Sequence, residues 1–246
     1  MGNTIGQQDS EKENLEMAQQ VELFINNVLL NFCKRILISK SPSLYRHSEL
    51  TGDIARVVVE NTGLDFGYTP DEAYTAGVLH DIGKCYLADE IIDKSSRQLN
   101  EREWEAINCH PAWGYQILEG TPFDSYAHII LDHHEKLDGS GYPHGKFALD
   151  NRVKLIALAD QVAAFLDDRP YRRRITLISL VDREIGKITR SLFEGVQAVK
   201  IEAALMCFSR DWIKNATEAP YKELVPTFRM GLLEQLSLTM GKCQVA

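Results

Sequence analysis

Thr69-Pro70-Asp71-Glu72 is the stretch that leaves this chain least freedom. Thr69 suits an N-cap, Pro70 suits the first helical position and Glu72 completes a capping box, so a helix must start here. Asn100 and Glu103 repeat the device in "LNEREWEAINCHPAWGYQILEG", where Pro111 is expected to bend or break the helix just after His110. Elsewhere the apolar positions recur at helical spacing. Met17, Val21, Phe24, Ile25, Val28, Leu29, Phe32 and Ile36 predict an amphipathic helix ending near Lys40, behind a polar leader of about a dozen residues. "SPSLYRHSELTGDIARVVVENTGL" predicts a second helix closed by Gly63. Gly83 should stop the helix begun at Pro70, which places His80 and Asp81 in its last turn. A helix from about Pro122, with Phe123, Ile130 and Leu131, runs out at His133 and His134. Another, "NRVKLIALADQVAAFLDD", carries Asp160 among Leu155, Ile156, Ala157, Ala163 and Ala164, and helical patterns continue beyond Arg174. No stretch alternates with period two, and neither repeats nor a long linker stand out. The fold class is therefore all-α.

Composition narrows the setting. The chain has 246 residues, 44% hydrophobic and 25% charged, enough for one large domain or two small ones. A net charge of −8 argues against DNA or another broad nucleic-acid footprint, although "RPYRRR" is a local basic patch. No apolar run reaches the roughly 20 residues of a membrane span, the first residues are too polar for a secretory signal, and a myristoylation start would need Ser or Thr at Gly6. A cytoplasmic protein is expected. Cys33, Cys85, Cys109, Cys207 and Cys243 are odd in number and lack any C-x-x-C, which fits reduced core thiols rather than disulfides or a thiolate zinc site.

Five of the seven histidines (His47, His80, His110, His133 and His134) fall at helix ends or just after a helix start, and Asp81 and Asp160 join them. Singly, each histidine admits a plain structural role as a cap, a polar terminus or a surface residue. Asp160 is harder to place, because a carboxylate flanked by aliphatic residues on its own helix wants a compensating cation. Seven donors exceed the three protein ligands of a mononuclear catalytic zinc site. Adjacent helical residues point about 100° apart, so neighbouring pairs suit two metals better than one. Imidazole and carboxylate donors without thiolate favour iron or manganese over zinc or nickel. Two such ions about 3.5–4 Å apart would clamp a phosphoryl group during in-line displacement, with no side-chain nucleophile needed.

"HDIGK" (80–84), "HP" (110–111), "HHEKLDGSGYPHG" (133–145), "AD" (159–160) and "DRPYR" (168–172) stand in the order and spacing of HD-GYP domains, the cyclic di-GMP phosphodiesterase branch of the HD superfamily. Over about residues 44–174 the chain resembles that family. The resemblance implies an HD-superfamily helical bundle in which His47, His80, Asp81, His110, His133, His134 and Asp160 hold two divalent metals, with Asp81 bridging. It implies hydrolysis of cyclic di-GMP by water activated on the metals, giving the linear dinucleotide and then GMP. Lys84 would stabilise the transferring phosphate. Arg169 and Arg172 match positions that contact substrate phosphates, and Asp138, Gly139, Gly141, Tyr142 and Pro143 would form the rim of the site.

Three positions depart from the pattern. Ser43 replaces the carboxylate found where a third metal binds, Ala163 replaces a second aspartate after Asp160, and Leu50 replaces an arginine. The expected organisation is a leader and N-terminal helix (1–40), a metal-binding core (41–174) and a C-terminal helical extension packed on the same domain (175–246), with no accompanying receiver, sensory or cyclase domain. The extra helices would cover the bundle or form a homodimer or partner surface. Two other functions fit the same residues: an HD phosphohydrolase for another nucleotide, and a non-catalytic module binding a dinucleotide or a protein such as a GGDEF-type cyclase.

Overall fold

The computed structural model describes residues 4–92, 99–167 and 174–218. Among them there is no strand; the elements are α1 (Thr4–Lys40), α2 (Pro42–Thr62), α3 (Pro70–Leu79), a 3-10 turn (Ile82–Tyr86), α4 (Asp89–Ile92), α5 (Glu101–Asn108), α6 (His110–Leu118), α7 (Asp124–Asp132), α8 (Asn151–Asp167), α9 (Arg174–Arg190) and α10 (Gly195–Glu218). The all-α expectation holds. No helix among the described residues is long and apolar enough to cross a membrane. Arg169, Arg172 and Cys243 lie outside the described residues.

The caps act as expected. Both halves of the capping box form at Thr69–Glu72 and at Asn100–Glu103. Ser41 caps α2 ahead of Pro42, and Gly63 closes it with a left-handed φ of 60° that suits a residue without Cβ. Three boundaries differ from the sequence reading. The leader is helical from Thr4, as its Gln, Glu and Lys residues favour. α3 ends at Leu79, so His80 is its C-cap and Asp81 starts the 3-10 turn; Gly83 lies inside that turn rather than ending a helix. The break beside His110 comes before it, at Cys109, because Pro111 sits in the first turn of α6, where its missing N–H costs nothing.

Two apolar clusters hold the bundle. In the larger, Ile54 and Val58 of α2 meet Leu155, Ile156 and Leu158 of α8, together with Ile185 of α9 and Ile201 and Leu205 of α10. In the smaller, Leu37 of α1 meets Val78 and Leu79 of α3, Ile82, Leu118 and Ile130. Each fully buried Leu or Ile contributes about 1.5–3 kcal/mol. Ala163 and Leu50 lie in the larger cluster, so their departures from the family pattern belong to packing. The Ser43 hydroxyl is 2.8 Å from that of Ser41 at the start of α2. Of the four described cysteines none is a fully buried core thiol: Cys33 is half-buried against the smaller cluster, Cys85 half-buried, Cys109 and Cys207 exposed, and all four are free.

The 3-10 turn approaches the start of α6 backbone to backbone. A methyl group at Gly83 would run into the His110 carbonyl oxygen and lie 2.5 Å from the Gly114 nitrogen. Gly83→Ala is therefore expected to separate Asp81 from His110 and to cost about 3 kcal/mol, lowering the midpoint of thermal unfolding by roughly 6–12 °C. An unchanged melting curve would contradict this packing.

Candidate metal centre

Five segments deliver the seven donors. His47 lies early in α2, His80 and Asp81 follow α3, His110 opens α6, His133 and His134 follow α7, and Asp160 projects from the middle of α8. The donors gather into two sets, Asp81-His110-His133-His134 and His47-His80-Asp160, with the donor atoms of each set within 4.8 Å of one another. Every candidate ligand read from the sequence is in one of these sets. His47 joins them with its Nε2 2.9 Å from Asp160 Oδ1.

Asp81 joins the sets. Its Oδ1 lies 3.1 Å from His110 Nε2 and 4.0 Å from His133 Nε2. Its Oδ2 lies 3.3 Å from His80 Nε2, 3.8 Å from His47 Nε2 and 2.5 Å from Lys84 Nζ. One carboxylate thus offers an oxygen to each set. Asp160 also faces both, with Oδ1 3.7 Å from His80 Nε2 and Oδ2 3.9 Å from His134 Nδ1.

The helix ends explain why histidines stand there. The last carbonyls of a helix have no intrahelical donor. His80, His110 and His133 each donate Nδ1–H to the carbonyl three residues back, on Gly77, Ile107 and Ile130, at 2.5–2.7 Å. That bond satisfies the helix end and fixes the tautomer that leaves Nε2 as a metal donor. His80 Nε2 and Asp81 Oδ1 are buried without a hydrogen-bond partner. Orphaned nitrogen and oxygen donors of this kind are what a divalent cation satisfies, so the residues fit a metal pair.

The charges agree. Burial would raise the Asp81 carboxyl, but His80 and Lys84 hold it well below the usual carboxylate range. Burial acts likewise on Asp160, where the hydrogen bond with His47 and the neighbouring charge of His80 prevail and hold it well below that range. Burial depresses His133 strongly and brings His134 down to about 4, so both imidazoles are neutral and able to act as donors at ordinary pH. His80 goes the other way: burial opposes its charge, yet Asp81 and Asp160 push it up to about 10. The metal-free protein therefore carries a proton on His80 that an incoming metal must displace. Because a raised pKa keeps the proton on until pH approaches 10, affinity should rise with pH between about 5 and 9, by roughly tenfold per unit, with one proton released. Calorimetric titration with Mn²⁺ in buffers of different ionisation heat checks this; no proton release at neutral pH would contradict it.

The rim loop is built from residues the sequence reading left without roles. Glu135, 2% exposed, accepts hydrogen bonds from the His144 N–H (2.6 Å) and the Lys146 N–H (2.9 Å). Lys146 Nζ lies 2.5 Å from Asp132 Oδ2. Asp132, Glu135 and His144 form a third group of potential metal donors. The Lys146 ammonium already supplies the cation there, and Glu135 is committed to backbone, so the group acts as a clamp on the loop. A Cβ at Gly141 would lie 2.5 Å from the His134 carbonyl oxygen, which restricts that position to glycine. Tyr142 consequently sits over His134, with ring centroids 4.7 Å apart. Glu135 was legible as the acid after His133-His134; nothing in the sequence pointed to Lys146.

Residues 31–183 match the family model described as HD domain. The chain belongs to the HD domain family. Among the relatives of this HD domain, a Vibrio cholerae protein named 3'3'-cGAMP-specific phosphodiesterase 3 is 35% identical over 143 residues, 56% of this chain and 30% of its own. A Thermotoga maritima cyclic di-GMP phosphodiesterase is 32% identical over 166 residues, 64% of this chain and 44% of its own. The chain thus spans less than half the length of these relatives. The HD domain of the L. monocytogenes phosphodiesterase PgpH, solved in complex with cyclic-di-AMP, superposes with a TM-score of 0.56 at 17% identity, covering 72% of this chain and 94% of that one. That likeness places the fold as HD-type, and the relatives agree with the HD-GYP resemblance of the loop.

Proposed function

We propose that this HD domain is a metal-dependent phosphodiesterase that hydrolyses cyclic di-GMP to the linear dinucleotide and then to GMP. The observation that carries the reading is the Asp81 carboxylate, placed between two donor sets with one oxygen toward each. His47, His80 and Asp160 would hold one metal and His110, His133 and His134 the other, with iron or manganese matching the nitrogen and oxygen donors. Bound metals supply Lewis acidity toward the phosphoryl oxygens and an activated water.

The chain's own groups do the rest. Lys84, partly exposed beside Asp81, presents an ammonium to a phosphate entering the site. Gly141 and Tyr142 wall the entrance on the His134 side, where Tyr142 offers a half-buried aromatic face to a base. Burial, together with Asp81 and Asp160, keeps its hydroxyl protonated by raising its pKa. Arg169 and Arg172 are proposed to meet the substrate phosphates.

Both relatives named above are phosphodiesterases of cyclic dinucleotides, and the more identical of the two is named for 3'3'-cGAMP. That name supports 3'3'-cGAMP as the second reading. Incubating the anaerobically purified, iron- or manganese-loaded protein with each dinucleotide, and separating products by chromatography, decides between them. Faster release of linear dinucleotide from cyclic di-GMP supports the first reading, faster cleavage of 3'3'-cGAMP the second. No turnover of either by a metal-loaded protein would overturn both.

A further inference from the structure

α1 carries an apolar stripe that the bundle does not cover. Its C-terminal half packs on the core through Leu29, Leu30, Cys33, Ile36 and Leu37. Met17, Val21, Phe24, Ile25, Val28 and Phe32 remain 44–63% exposed. At 100° per residue these six fall within an arc of about 100°, one continuous face of the helix. So wide an apolar face on a helix marks an interaction surface.

The spacing of the six residues names the occupant. Along the chain the steps are four, three, one, three and four, the same in either direction. A stripe that reads alike both ways is complementary to its own reversed copy, which is the condition for a two-fold, isologous contact. We propose that α1 packs antiparallel against α1 of a second copy of this chain, with the two-fold axis between Phe24 and Ile25. Met17 then meets Phe32 of the other copy, Val21 meets Val28, and Phe24 meets Ile25. The ends agree in charge. Arg35, on the same arc, comes opposite Asn14 and beside Glu13 of the other copy, and all three are exposed. A hollow of about 330 Å³ beside Phe32, lined by Leu29, Ile82, Tyr86 and Phe123, takes the incoming end of the partner helix. Ile82 and Tyr86 belong to the turn that carries Lys84, so the dimer contact reaches the element beside the metal centre.

The full 246-residue chain, measured by light scattering after size exclusion and by sedimentation equilibrium across low- to high-micromolar concentrations, should be a dimer. Val21→Glu and Val28→Lys, at exposed positions, should each keep the far-ultraviolet dichroism of a folded helical chain and raise the dimer dissociation constant roughly 100-fold or more, since each buries unpaired charges at two symmetric contacts. Combining them places each new glutamate against the new lysine of the other copy, so the double variant should recover the dimer and lose it again in high salt. A parallel pairing would set like charges against each other and give no recovery. A monomeric wild type overturns the proposal, as does a dimer indifferent to the single substitutions or a double variant that fails to reassociate.

Discussion

Asp81→Ala is expected to lower kcat for cyclic dinucleotide hydrolysis by at least roughly 1000-fold. The substitution acts on five partners at once. His110 and His133 lose the oxygen that faces them, His47 and His80 lose the other, and Lys84 loses the carboxylate 2.5 Å from its ammonium. The pKa of His80 should fall with the same change, because Asp81 is the chief group raising it. Metal content should drop, since neither donor set keeps the carboxylate that faces both. Elemental analysis alongside product chromatography separates loss of metal from loss of fold, which near-ultraviolet dichroism reports. An Asp81→Ala protein that retained two metals and full turnover would remove Asp81 from the centre altogether.

The second large effect is expected where no metal donor is touched. Glu135→Ala leaves the His144 and Lys146 N–H groups without their acceptor, a loss of about 1–3 kcal/mol for each. It also frees the stretch that Gly141 and Tyr142 must follow over His134. Hydrolysis should fall roughly 100-fold through misplaced substrate, while iron or manganese content stays near that of the unaltered chain. Glu135→Gln, which keeps the shape and one acceptor oxygen, should recover part of the loss. Metal lost in step with activity would show instead that Glu135 supports His133 and His134 rather than the loop.

These two residues also mark what sequence can and cannot convey. Asp81 and the other donors were legible because metal chemistry restricts residue types and because each helix end announces itself by a cap, a glycine or a proline. Thr69, Asn100, Gly63 and Pro111 located the ends, and histidines beside ends are conspicuous. The exact break at Cys109 was not legible, since Pro111 is compatible with ending one helix or opening the next. The role of Glu135 depends on backbone N–H groups nine and eleven residues away, and that of Lys146 on Asp132 fourteen residues earlier. Side-chain to backbone pairings across a loop leave no periodic trace.

The N-terminal helix shows the converse limit. Its apolar spacing correctly announced a helix, but spacing is silent about which apolar face is covered. Leu29, Leu30 and Leu37 reach the core, while Met17, Val21, Phe24 and Phe32 do not. Likewise Ala163 and Leu50 look like losses when set against a family pattern. In the fold they are members of an apolar cluster, where an acid or an arginine would need a partner of its own.

The direct test of the Asp81-bridged pair is a crystal structure of the manganese-loaded protein with anomalous scattering recorded near the manganese edge. Two anomalous peaks about 3.5–4 Å apart, with the Asp81 carboxylate between them, are the expected result. A single peak, or two peaks with Asp81 bound to neither, would contradict it.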